Sequence, residues 1–267
     1  MTLDADDLDA LTDAVNTLEN PGLVVQITNI IGRPFEYALS NLPDSVLRRV
    51  TQVTDATLQS VLRVAISSMN DERGIRPSNR FHKALTTLSG AFGGAFGFPA
   101  LALELPVSTT LILRSVADIA RSQGESIRSV ETQLACIEVF AMGSRSGNEE
   151  AAETGYYATR AALARSVSEA AKYIAERGLA EEGAPAILQM IAKVAARFNV
   201  PVSAKFAAQS IPAIGAAGGA VINLVFINHF QEMARGHFTV RYLERKYGAE
   251  LIRTEYNRIK QGDGAPL

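Results

Sequence analysis

Two long stretches without a charged side chain, each with glycines at four-residue spacing, limit most strongly how this chain can fold. The first runs from Ala84 to Leu103 and holds Gly90-Ala91-Phe92-Gly93-Gly94-Ala95-Phe96-Gly97. The second runs from Phe206 to Gln231 and holds Gly215-Ala216-Ala217-Gly218-Gly219. Residues four apart share a helix face. Each stretch therefore predicts a helix with a bare stripe against which another backbone can lie closely. Glycine inside a helix costs about 1 kcal/mol against alanine, and close packing must offset several in so few positions. The expectation is that Gly90, Gly93, Gly94 and Gly97 pack against Gly215, Gly218 and Gly219 at the centre of the fold.

The remaining sequence reads as helices joined by short breaks. Leu8, Leu11, Val15 and Leu18 repeat at helical spacing in an acidic segment that ends at Asn20-Pro21-Gly22. Leu23–Ile31 is apolar, Pro34 opens a short helix, and Pro43-Asp44 opens a long one toward Met69. Pro99 and Pro106 are expected to bend the first glycine stretch into a hairpin, with Leu105–Gln123 as its returning arm. Helices are expected over Ile127–Met142, from an Asn148 cap to Arg177, through Ile187 and Val194 to a stop at Pro201, and over Ala249–Lys260. No alternation with hairpin turns marks a strand. The fold class is all-α, a single multi-helix domain organised around two glycine-rich apolar helical hairpins. It divides into an acidic amphipathic helix (1–21), a helical body (22–260) and a tail (261–267).

Both uncharged runs reach the ~20 residues needed to cross a bilayer. Gly and Ala contribute little transfer energy, however, and a mid-bilayer Glu104 would cost at least ~2.5 kcal/mol. The first expectation is a buried hairpin, with peripheral membrane contact next. The 26 basic and 28 acidic residues nearly cancel, which gives no signature for nucleic acid. One cysteine, Cys136, excludes an internal disulfide, and the acidic start Met1-Thr2-Leu3-Asp4 lacks a secretory pattern. A cytoplasmic protein is expected.

Sequence motifs for chemistry are sparse. Gly90–Gly97 matches neither the dinucleotide nor the phosphate-loop pattern. His229 and His237 lie eight apart without nearby carboxylate ligands, so neither a metal nor a cofactor is expected. Cys136 reads as core, and a hydrolase built on Ser108 or Cys136 lacks a placed base. Tyr156-Tyr157 and Phe226/Phe230 read as core aromatics. Glu104, which ends the first uncharged run, is the most informative ionisable residue. It reads as a buried carboxylate that binds a ligand or partner, or as one satisfied by helix N–H groups or Arg114. Asn223 is the second candidate for orienting a ligand. Arg241, Arg245 and Lys246 form a basic cluster suited to anionic lipid, where each cation is worth about 1 kcal/mol.

Several of these blocks together resemble the EcsC family of bacterial proteins. They are Gly32-Arg33-Pro34-Phe35-Glu36 leading to Leu42-Pro43; Gly93-Gly94-x-x-Gly97-Phe98-Pro99 with Glu104-Leu105-Pro106; and Leu113-Arg114-Ser115-Val116-Ala117-Asp118-Ile119-Ala120 before Gly124. Further on come Ile211-Pro212-x-Ile214-Gly215-Ala216-x-x-Gly219 with Asn223, then Ala234 and Phe238. The family usually has Asp where Glu104 stands, a change that keeps the carboxylate. Its naming member is encoded beside the subunits of an ABC transporter, and the family supplies no catalytic residues to carry over. The resemblance implies a cytoplasmic, membrane-associated accessory protein with ABC transporter subunits as partners. The glycine-lined apolar hairpins and the basic excess near the C-terminus point to a non-enzymatic protein that binds lipid or a membrane partner at the inner face of the cytoplasmic membrane. A soluble helical carrier for an apolar small molecule is the alternative.

Overall fold

The longest helix carries the second glycine stretch and runs through the middle of the molecule. The computed structural model describes residues 3–19, 22–68, 97–143, 155–178, 184–211 and 215–262. Among these are ten α-helices, one 3₁₀ turn and no strand. In chain order they are α1 (Ala5–Glu19), α2 (Leu23–Ile31), α3 (Arg33–Ser40), α4 (Asp44–Ser68) and α5 (Gly97–Ser122). Then follow α6 (Val130–Glu138), the 3₁₀ turn Val139–Ala141, α7 (Tyr156–Arg177), α8 (Pro185–Gln209), α9 (Gly215–Tyr247) and α10 (Ala249–Lys260). No helix of the described residues is long and apolar enough to cross a membrane.

At 1.5 Å per residue, the 33 residues of α9 extend about 50 Å. Helices α1, α5, α8 and α10 pack along it, while α8 also supports α4 and α7. Helix α5, which begins at Gly97, and α9 therefore lie side by side. The core is an aromatic cluster in which Phe140, Phe198, Phe226 and Phe230 sit with ring centroids 5.1–6.1 Å apart. Such tilted contacts add about 0.5–1.5 kcal/mol per pair beyond burial. The acidic N-terminal helix joins this body: Leu11, Ala14, Val15 and Leu18 are buried.

Three expectations about helix ends need correction. Helix α5 is continuous through Pro106, so Glu104–Pro106 is no hairpin bend. Helix α8 likewise continues through Pro201 for eight more residues, to Gln209. An interior proline costs about 3 kcal/mol, but both helices are packed on several sides, and that packing outweighs the local preference. Helix α7 starts at Tyr156 after an extended Gly155 and so does not run as one helix from Asn148, a residue that itself lies outside the described residues.

Gly90, Gly93 and Gly94 lie outside the described residues. At Gly219 a Cβ would meet nothing within 4 Å. The close approach that does require glycine is at Gly236, where a Cβ would come within 2.7 Å of Leu18 Cγ as α1 crosses α9. Gly143 is constrained differently. Its φ is +69°, and a Cβ there would fall 2.5 Å from His229 Nε2 and 2.9 Å from Met233 Sδ.

Gly143→Ala should lower stability by about 2–5 kcal/mol, combining left-handed backbone strain with overpacking. Gly248→Ala has φ +93° but open space around the new Cβ, and should lose only about 1–2 kcal/mol. Urea denaturation of the two variants checks the difference.

Candidate functional site

The two polar residues singled out at the end of one uncharged stretch and within the other meet on one buried cation. Lys205 of α8 is fully buried, and its Nζ donates to Glu104 Oε1 of α5 at 2.6 Å and to Asn223 Oδ1 of α9 at 2.8 Å. The ammonium also lies 4.5 Å from the centre of the Phe226 ring. Glu104 and Asn223 are themselves nearly buried. An isolated ammonium could not occupy this place, because ion desolvation costs several kcal/mol unless attraction and hydrogen bonds repay it. Arg114 is exposed on the outer face of α5 and takes no part. With Glu104 and Asn223 both bonded to Lys205, the arrangement locks three helices together. It does not hold them ready to orient an apolar ligand.

The basic cluster is also held internally. Arg241 Nε donates to Glu125 Oε1 at 2.8 Å, and Arg245 pairs with the same carboxylate and donates to the Gln123 carbonyl at 2.7 Å. Lys246 bridges Asp4 and Asp7 of α1. Burial works to raise the Glu125 carboxyl, but hydrogen bonding and attraction from Arg241 hold it below the usual range. The three cations thus fasten the C-terminal half of α9 to α1 and to the turn before α6. They do not form a bare basic face.

A second polar cluster, which the sequence did not reveal, lies between α6, α7, α9 and α10. Arg160 makes a two-pronged ion pair with Glu244, at 2.7 and 3.1 Å, and donates to the Tyr156 hydroxyl at 3.2 Å. Tyr156 in turn lies 3.0 Å from His237 Nδ1. Burial, reinforced by Arg160 and Arg241, holds His237 well below the usual histidine range and therefore neutral. Since Arg160 can only donate, the tyrosine proton points to Nδ1, and the histidine carries its own proton on Nε2. Glu19 accepts from the Tyr256 hydroxyl at 2.9 Å and from the Tyr156 amide at 3.1 Å. Beside this network opens a cleft of about 370 Å³, lined by Glu138, Tyr157, Arg160, Glu244, Glu250 and Arg253 together with small alanines. Glu138 makes no hydrogen bond or ion pair with any described residue, and burial pushes its carboxyl up to about 7.

The candidate nucleophiles are placed for structure. Ser108 is buried and donates to the Leu105 carbonyl of its own helix. Cys136 is fully buried, and desolvation drives its thiol far above the reactive range. His229 is buried against Gly143, and desolvation takes it down to about 4. Among the described residues no group of three metal-ligating side chains comes together.

The model of the EcsC protein family matches residues 10–243, most of the chain. The chain belongs to that family. No curated protein and no solved structure matches it. In this EcsC-family chain the matched span holds Glu104, Lys205 and Asn223, and it also holds Glu138 and Arg160. It stops before α10, which supplies Glu250 and Arg253 to the cleft.

Lys205→Met should destabilise by about 3–5 kcal/mol by stranding the Glu104 carboxylate. In the Glu104→Gln/Lys205→Met double variant most of that loss should return, a coupling of about 2 kcal/mol or more that a denaturation cycle measures. Glu138 behaves oppositely. From pH 4.5 to about 7 the folded protein keeps a proton there that the unfolded chain releases, so stability falls as pH rises through that window. Glu138→Gln should therefore stabilise the protein at pH 8 by an amount on the order of 3 kcal/mol. At pH 4.5 it should change little, as urea titrations at the two pH values will show.

Proposed function

We propose that the protein acts without chemistry of its own, as an accessory protein that meets lipid or a membrane partner at the inner surface of the cytoplasmic membrane. The observation that carries this reading is the outer face of the helices joined by Lys205. Beside buried Glu104, Leu103 is 66% exposed and Val107 is 43% exposed. Beside buried Asn223, Val221 and Leu224 are 47% and 49% exposed. Four large apolar side chains thus face outward on α5 and α9, three of them within the two charge-free stretches and Val107 just beyond the first. Contiguous exposed apolar groups mark interaction or membrane surfaces. The contact is assigned to these side chains and not to Arg241, Arg245 and Lys246, which the chain's own carboxylates hold. The ABC-transporter setting of the family's naming member supports a transporter subunit as the membrane partner.

Flotation with vesicles of phosphatidylglycerol and phosphatidylcholine tests the reading. Wild type should float, and Leu103→Ser/Leu224→Ser should bind at least tenfold less, since each change removes about 1–2 kcal/mol of apolar transfer. Lys246→Ala should float like wild type. A wild-type protein that stays at the bottom of the gradient with every vesicle composition refutes lipid contact.

A further inference from the structure

The cleft beside Arg160 is lined by a buried acceptor, Glu138, with which neither of its two guanidiniums, Arg160 and Arg253, pairs. Glu138, at the end of α6, is only 8% exposed, and its carboxylate makes no hydrogen bond or ion pair with any described residue. The guanidiniums close enough to influence it are committed elsewhere. Arg160 on α7 is held by both oxygens of Glu244 and by the Tyr156 hydroxyl, and Arg241 on α9 is held by Glu125 and Glu131. An ionised carboxylate only accepts hydrogen bonds. What Glu138 lacks is therefore a positively charged partner that carries N–H donors.

We propose that this cleft binds a small organic ammonium ion, with the ammonium on Glu138. The walls suit such a ligand. Ala161 and Ala164 leave room for a methylene stem, and Tyr157 offers its ring. Glu250 provides a further carboxylate on the lining, while Arg253 is drawn aside against the Tyr157 ring at 5.7 Å. Three carboxylates (Glu138, Glu244 and Glu250) face two guanidiniums, so an anion is disfavoured. A bare metal ion would lack a ligand set, because no three metal-ligating side chains converge among the described residues. The volume of about 370 Å³ lies at the small end of ligand sites, which suits an alkylamine or diamine. The proposal is independent of membrane contact.

Binding should depend on pH in a way that identifies the acceptor. The groups facing Glu138 are Arg160 from α7, Arg241 from α9 and Glu131 from its own helix. The two arginines stay charged throughout. Glu138, ionising near 7, is then the group that changes charge between pH 6 and 8. Affinity for an ammonium should rise about tenfold over that interval.

Isothermal titration of the full chain with putrescine, with 1,4-butanediol as its uncharged analogue, tests the proposal. Putrescine should bind at pH 8 and the diol should not. Glu138→Gln should weaken putrescine at least tenfold and abolish the pH dependence, while Glu250→Gln should weaken it less than Glu138→Gln does. Should Glu138→Gln fail to fold, Ala164→Phe, which fills the cleft from an exposed position, should remove binding by itself. Putrescine binding no tighter than the diol, or equally tight in a folded Glu138→Gln or Ala164→Phe variant, overturns the proposal.

Discussion

A single buried ammonium holds three of the principal helices in register. Lys205 reaches α5 through Glu104 and α9 through Asn223, and it is fully buried. Apolar packing alone specifies such contacts loosely, since helices faced with Ala, Val and Leu can slide or rotate at modest cost. A buried charge behaves differently, because any displacement that opens its hydrogen bonds exposes the full desolvation penalty. The triad therefore does less for net stability than for uniqueness: it selects one axial and rotational setting of α5, α8 and α9. Fixing a register is the best-attested use of a buried polar group.

The rest of the polar framework repeats this logic along α9. Its C-terminal half is fastened to α1 by Lys246 and to the segment before α6 by Arg241 and Arg245. The same half is tied to α7 through Glu244–Arg160 and His237–Tyr156. Acidic residues at the start of the chain thus answer basic residues near its end, which explains why the N-terminal helix is integral to the body. Glu138 stands apart from this pattern. It is a buried carboxylate without a donor, beside a network in which Arg160, Glu244, Tyr156 and His237 are all matched. A buried ionisable group with displaced protonation that lines a cleft is a functional-site candidate.

Much of the fold was legible because helical periodicity and end signals agree locally. Helices α1, α4 and α10 and the continuous α9 lie where spacing and breaks put them. The errors fall where tertiary packing outweighs a local signal, as at Pro106 and Pro201. Half of the central triad was also legible, since Glu104 and Asn223 stood out as polar residues bounding or interrupting uncharged runs. Lys205 was missed although it occupies the matching place, directly before the second uncharged run, as Glu104 directly follows the first. Opposite charges bracketing two apolar helices are a pairing signal in the sequence itself. Glu138 left a weaker trace, as the one charge in Leu134-Ala135-Cys136-Ile137-Glu138-Val139-Phe140. The carboxylate partners of Arg241, Arg245 and Lys246 lie more than a hundred residues away, beyond any local pattern.

The buried triad and the exposed apolar side chains have one geometric origin. On α5, Glu104 points inward to Lys205 while its neighbour Leu103 points out; on α9, Asn223 points inward while Leu224 points out. Consecutive residues on a helix differ by about 100° around the axis. Anchoring one side chain of each pair therefore fixes the direction of the other. Rotation of α5 enough to bury Leu103 would pull Glu104 off the ammonium and strand a charge. The ion pair thus keeps these apolar groups in solvent against their own tendency to turn inward. A protein that needs a constant apolar face at one end gains from such a lock, whereas a protein selected for stability alone would do better with hydrophobic side chains at all three positions.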